Sequence, residues 1–123
     1  MMKTRPVLAE KITSGNLSNE ELFQNMVLRP IIKMQHDILI HRFKNYLQTK
    51  KIAIQNLEPS KKALYIKQAF QHDVAIKKEM LGMVIGHLSV EEFEQYLKNI
   101  QSYNKRINQM ICNRMLDSAL ALH

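Results

Sequence analysis

Tryptophan is absent from the chain, cysteine occurs once, and glycine and proline occur three times each. Each scarcity excludes something. The lone thiol, Cys112, makes neither an internal disulfide nor a cysteine-based zinc cluster. It sits beside Ile111 and Met115 and reads as a buried structural thiol in a reducing compartment, because an activated thiolate needs a polar or basic surrounding. Gly15, Gly82 and Gly86 are too few and too far apart for a phosphate-cradling glycine loop. Scarce turn formers also mean few turns and long elements. The chain lacks a Gly-x-Ser-x-Gly elbow, a Glu-x-x-His pair and an apolar run of about 18 residues able to cross a membrane. No apolar stretch follows Lys3 and Arg5, so no signal peptide is expected and the cytoplasm is the expected location. Strand-like alternation bounded by turns is missing as well.

What is present suits one globular domain. In 123 residues the hydrophobic share is 46% and the charged share 24%, enough apolar surface for a core and too much for a disordered chain. Eight methionines point to an adaptable core or contact surface. The formal net charge is +7, and all of the excess lies before residue 89. Lysine doublets stand at Lys50-Lys51, Lys61-Lys62 and Lys77-Lys78. Charge spread in this way fits solvated helix faces; a phosphate-binding face is the alternative.

The periodicity predicts an all-α fold, a compact bundle of about four to five helices with a long C-terminal helix. Residues 1–17 read as a flexible N-terminal arm and 18–123 as a single helical domain. Ser18 and Glu21 make a capping box, with Glu20 adding to the acidic first turn. Apolar residues then recur on two edges, Val27, Ile31, Met34 and Ile38 on one, Leu28, Ile32, Leu39 and Phe43 on the other. Pro30 predicts a kink, or two helices meeting near Leu28-Arg29. Residues 52–60 form a connection with Pro59 as breaker and Ser60 as cap. A helix follows from about Lys61 to His72, with Leu64, Ile66, Ala69 and Phe70 toward its apolar side. Asp73 caps a further segment that Gly86 ends. Ser89 and Glu92 repeat the capping box, and no Gly or Pro occurs from there to His123. Phe93, Leu97, Ile100, Ile107 and Ile111 make a heptad-like seam with Asn104 in its gap, where a polar residue sets register or is simply half-exposed. Tyr96, Tyr103 and Met110 form an adjacent stripe.

Chemistry is sparse. His36 and His41 do not share a helix face, Asp37 and His41 make only one pair, and His72 and His87 fall near helix ends. Tyr65 to Ile85 lacks the glycine turn and the polar second helix of a helix-turn-helix. No catalytic, cofactor-binding or metal-ligating residue is expected from the pattern.

The runs Leu22-Phe23-Gln24-Asn25, Leu28-Arg29-Pro30-Ile31-Ile32-Lys33-Met34-Gln35, Leu81-Gly82-Met83-Val84-Ile85-Gly86, Glu91-Glu92-Phe93 and Asn104-Lys105-Arg106 resemble a family of small bacterial helical proteins, over residues 20–117. Members often carry the automatic label "glyoxalase". The resemblance implies an all-helical fold and brings no assigned activity, cofactor or site residue. Where the family pattern has Gln-Lys-Asp and Arg-Asn, this chain has Gln71-His72-Asp73 and Lys77-Lys78. Arg29, Asn104, Lys105 and Arg106 are the polar residues shared with the pattern. They are candidate functional or interface residues; alternatively they satisfy buried polar groups between helices. The leading functional expectation is a self-associating interaction or structural module, a homo-oligomer without a membrane partner. A basic nucleic-acid-associated protein is the alternative, and an enzyme, resting on the label, is the third.

Overall fold

The computed structural model of the protein describes residues 18–118. The expected N-terminal arm and the chain beyond Ser118 lie outside the described residues. Ser18 starts the first helix: its Oγ accepts the Glu21 backbone N–H at 3.1 Å, and Glu21 Oε1 accepts the Ser18 N–H at 3.3 Å. The capping box read from the S-x-x-E spacing is therefore formed.

Pro30 shapes the turns on either side of it. A proline inside a helix offers no N–H to the carbonyl four residues back, and its ring crowds that carbonyl. Between α1 (Asn19–Phe23) and α2 (Arg29–Met34) the backbone inserts a π-helical turn, Gln24–Leu28. There the Arg29 N–H reaches back to Gln24 O, one residue further than in an α-helix. Pro30 then falls in the first turn of α2, the position where proline is best tolerated. Helical backbone runs through the proline, with the π turn and α2 meeting at Leu28-Arg29, and a further break follows at Gln35 (φ −92°, ψ 9°), where α3 (His36–Thr49) begins.

α3 ends by a Schellman arrangement: Ile52 N–H is donated to Leu47 O at 2.9 Å and Lys51 N–H to Gln48 O at 3.0 Å. Lys51 takes φ 58°, where glycine is more usual. A short 3₁₀ turn (Ile54–Asn56) buries Ile54 and leads to α4 (Pro59–His72). Pro59 thus opens the helix as its first residue rather than breaking it, with Glu58 rather than Ser60 at the cap. Fixed φ and no N–H suit that first position. Leu64, expected on the apolar side, is 55% exposed.

Asp73 joins three elements. Its Oδ1 accepts the Ile76 N–H at 3.3 Å and caps α5 (Val74–Ile85), while its Oδ2 accepts the Tyr46 hydroxyl of α3 at 2.7 Å. Gly86 is the C-cap of α5. A Cβ there would stand 3.1 Å from Gly82 O, whereas Gly82 itself faces open space, so the glycine pair marks no close backbone approach.

The expected single C-terminal helix is two. After the Ser89–Glu92 capping box, α6 (Val90–Leu97) stops at Lys98, and α7 (Ile100–Asp117) starts after Asn99 (φ −154°, ψ 64°). Side chains explain the bend. The Tyr96 hydroxyl donates to Asn104 Oδ1, and Gln95 Nε2 donates to the Tyr103 hydroxyl at 3.1 Å. Residues eight apart on a straight helix would be about 12 Å apart along its axis; only a folded corner brings them together. The heptad-like seam is accordingly cut. Ile107 and Ile111 are fully buried, but Phe93, Leu97 and Ile100 are exposed, and Asn104 serves the corner rather than a coiled-coil register.

With α1, the π turn and α2 counted as one rod, the described residues form six helical rods, slightly more than the four to five expected, with no strand among them. α7 is the hub and packs on α2, the π turn, α4, α5 and α6. Its stripe of Tyr103, Ile107, Ile111 and Met115 meets Leu28, Ile31, Ile32, Leu39, Ile66, Met80 and Val84 in one core. Phe43 stacks between Tyr46 and Phe70, each 5.4 Å away by ring centroids.

Tyr46 first, then the Ile76 N–H, holds the Asp73 carboxyl below the usual carboxylate range. A depressed folded-state value means that the unfolded chain binds the proton more readily, so this stabilisation is complete above about pH 4 and is lost as pH falls through the depressed value. Asp73→Asn, which keeps a capping oxygen, is expected to lower Tm at pH 7 and to differ little from the native protein near pH 2. Thermal melts across that range measure whether the gap closes in acid.

Candidate functional site

α7 has a polar face opposite its buried stripe. Residues Ser102, Arg106, Gln109 and Asn113 recur at helical spacing there. Across from them, the π turn, α2 and the start of α3 present Gln24, Arg29, Ile32 and His36. The two faces enclose a groove of about 680 Å³ floored in part by Ile32 and Met110. The π turn and the bend at Gln35 belong to the rod that forms one wall, so the local response to Pro30 helps position the site.

Three of the four candidate polar residues come together in this groove: Arg29, Lys105 and Arg106. Asn104 does not; its side chain is engaged by Tyr96 at the α6–α7 corner. Arg114 and His36 also line the groove, neither of them among the four candidate polar residues. Arg114 was legible as part of the polar complement of the apolar stripe, one turn beyond Met110. His36 was not, because nothing local says which face of which helix lies across from α7.

The cations are held differently. Arg106 Nη1 donates to Gln24 Oε1 at 2.9 Å, and its Nη2 lies 3.7 Å from Glu20 Oε1. Asn99 Nδ2 also donates to Glu20, tying the α6–α7 corner to α1. Arg114 Nη1 is 3.2 Å from His36 Nδ1. A guanidinium only donates, so this contact uses the Nδ1 lone pair and places the ring proton on Nε2. Arg29 and Lys105 make no hydrogen bond or ion pair among the described residues. Among the described residues, Asp117 is the one carboxylate in the groove lining. The result is two braced arginines and two unbraced cations around one cavity, with unspent N–H donors.

On the other flank of α7 a second groove, about 540 Å³, is walled by Lys67, Phe70 and Gln71 of α4, Lys77 of α5, and Asn108, Cys112 and Leu116 of α7. Among the described residues, no carboxylate lines it. Asn108 Oδ1 is buried there without a hydrogen-bond partner among the described residues. The corner of α6 and α7 carries a third feature, an exposed apolar face of Val90, Phe93, Leu97 and Ile100, from 39% to 73% exposed. In the Tyr65–Ile85 pair, α5 buries Ile76, Met80, Leu81 and Val84 and exposes Lys78 and Glu79. Among the described residues, no three His, Cys, Asp or Glu side chains lie close enough to share a metal ion, and no helix is long and apolar enough to cross a membrane.

Burial pushes the Cys112 thiol above its ordinary range, against a smaller opposing effect of Lys67. The thiolate is the reactive form, so a buried, protonated thiol is slow. Native protein at pH 8 is expected to react with an aromatic disulfide reagent at least tenfold more slowly than urea-unfolded protein, followed by absorbance. Equal rates would contradict the burial. Comparison of the chain with protein-family models, with curated proteins and with solved structures finds no match.

Proposed function

We propose that the protein is a helical binding module for oxyanions, with the groove between α2 and α7 as its site. The observation that carries this reading is the gathering of Arg29, Lys105, Arg106 and Arg114 around a cavity lined, among the described residues, by one carboxylate. Guanidinium groups present paired donors that match phosphate and carboxylate oxygens, and such charge-assisted bonds are about twice as strong as neutral ones. The volume is in the range of small-ligand sites, and the apolar floor of Ile32 and Met110 supplies contact for a carbon skeleton. Inorganic pyrophosphate is the simplest probe. Arg29→Gln is the cleanest variant, because Arg29 has no hydrogen bond or ion pair to lose among the described residues. It is expected to weaken pyrophosphate binding by roughly ten- to a hundredfold, the worth of one charge-assisted hydrogen bond of about 1.5–3 kcal/mol, with Tm unchanged. Isothermal titration checks this, and folded native protein that ignores millimolar pyrophosphate would end the proposal.

A second reading, self-association, draws on the exposed face of Val90, Phe93, Leu97 and Ile100. Four neighbouring apolar side chains at one corner are more than scattered surface residues. On this reading a second copy covers the corner, and Leu97→Glu shifts the population toward monomer in sedimentation velocity. A native protein that stays strictly monomeric at high concentration would remove it.

The enzyme reading attached to the family resemblance takes no strength from this site. Glyoxalase I-like enzymes carry His and Glu ligands on the strands of paired βαβββ modules, and the described residues contain neither a strand nor such a cluster.

A further inference from the structure

The two grooves share a wall. Lys105, Gln109 and Asn113 border both of them and form an exposed ridge along α7, each one turn from the next. Positive groups stand on both flanks: Arg29, Arg106 and Arg114 on one, Lys67 and Lys77 on the other, with Lys105 on the crest. Lys67, Lys77 and Lys105 have no hydrogen bond or ion pair among the described residues. In the sequence, residues 89–123 are electrically neutral; the bend at Asn99 divides that balance. Glu91, Glu92 and Glu94 belong to α6, while Lys105, Arg106 and Arg114 belong to α7.

A small anion can sit in one groove but cannot touch both flanks of a helix about 10–12 Å across. A linear polyanion can. Resting on the oxyanion reading of the first groove, we propose that the ligand is a nucleic acid strand whose phosphate backbone crosses the α7 ridge from one groove into the other. The crossing places phosphates over the ridge and others in each groove, within reach of the cations on both flanks. On the crest, Gln109 Nε2 donates to Asn113 Oδ1 at 3.0 Å, which orients the Asn113 amide and leaves its Nδ2 free to donate to a phosphate or sugar oxygen. Among the described residues of these linings Phe70 is buried and the His36 ring is engaged by Arg114, so neither is set out as a base-stacking platform. Binding is therefore by charge, with little preference for sequence.

The test uses fluorescence anisotropy with a labelled single-stranded oligonucleotide of about 20 nucleotides, over a salt series, beside pyrophosphate titration. With about five phosphate contacts, affinity is expected to fall on the order of a hundredfold between 50 and 200 mM salt. The double variant Lys67→Gln/Lys77→Gln touches only the second groove. It is expected to weaken the oligonucleotide and to flatten the slope of log affinity against log salt by about 1.4, while pyrophosphate binding stays as in the native protein. Circular dichroism confirms that the variant is folded. If the double variant leaves oligonucleotide affinity and salt slope unchanged, the strand does not cross α7 and this proposal is overturned; pyrophosphate binding that persists then keeps the oxyanion reading alone. Failure of both probes with native protein overturns both.

Discussion

The structure depends on burying one stripe of α7. Tyr103, Ile107, Ile111 and Met115 are excluded from water by helices on several sides. Removing side chains of that size from water is worth about 1.5–3 kcal/mol each before entropy is counted. The π turn, α2, α4, α5 and α6 all pack on α7. α2 contributes Ile31 and Ile32, α4 Ile66, and α5 Met80 and Val84. Because a helix buried on one stripe must expose the rest, the same constraint leaves a polar ridge with a groove on either side. Core and site are two faces of one element.

The corner between α6 and α7 arises from the same constraint. Tyr96 is a large, nearly buried side chain with a hydroxyl that needs a partner, and Asn104 supplies one only if the chain turns back at Lys98-Asn99. Burial pushes the Tyr96 hydroxyl above its ordinary range, so it stays protonated and donates. The turn costs the apolar seam its continuity and leaves Phe93, Leu97 and Ile100 outside. It also parts the acids of α6 from the bases of α7. A local hydrogen bond thus has two distant consequences, an uncovered apolar face and a concentrated cationic one.

Ion pairs elsewhere fasten edges rather than the core. Arg42 on α3 grips Glu79 on α5 through both carboxylate oxygens, and that exposed pair depresses the Glu79 carboxyl while adding little to stability in water. Glu20 does more, because it receives both Arg106 and Asn99 and so links α1, α7 and the corner. The acidic first turn of α1 complements the helix dipole and also steadies an arginine of the groove.

Most of the helices were legible from local chemistry. Ser18 with Glu21, Ser89 with Glu92, Asp73 and Gly86 marked ends that the structure keeps, since caps are satisfied within a few residues of where they stand. Cys112 among Ile111 and Met115 read correctly as buried. Errors arose where tertiary contacts outweighed local preference. Pro59 opened a helix, and Tyr96 bent a stretch that contains no Gly or Pro. Arg29, Lys105 and Arg106 could be picked out as residues, but not as neighbours. Sequence spacing orders side chains on one helix, whereas the groove is made by two helices whose mutual rotation is chosen by the packing of Leu28, Ile32, Ile107 and Ile111. That packing, invisible to any local pattern, brought His36 to Arg114 and turned a diffuse positive charge into a surface with a direction.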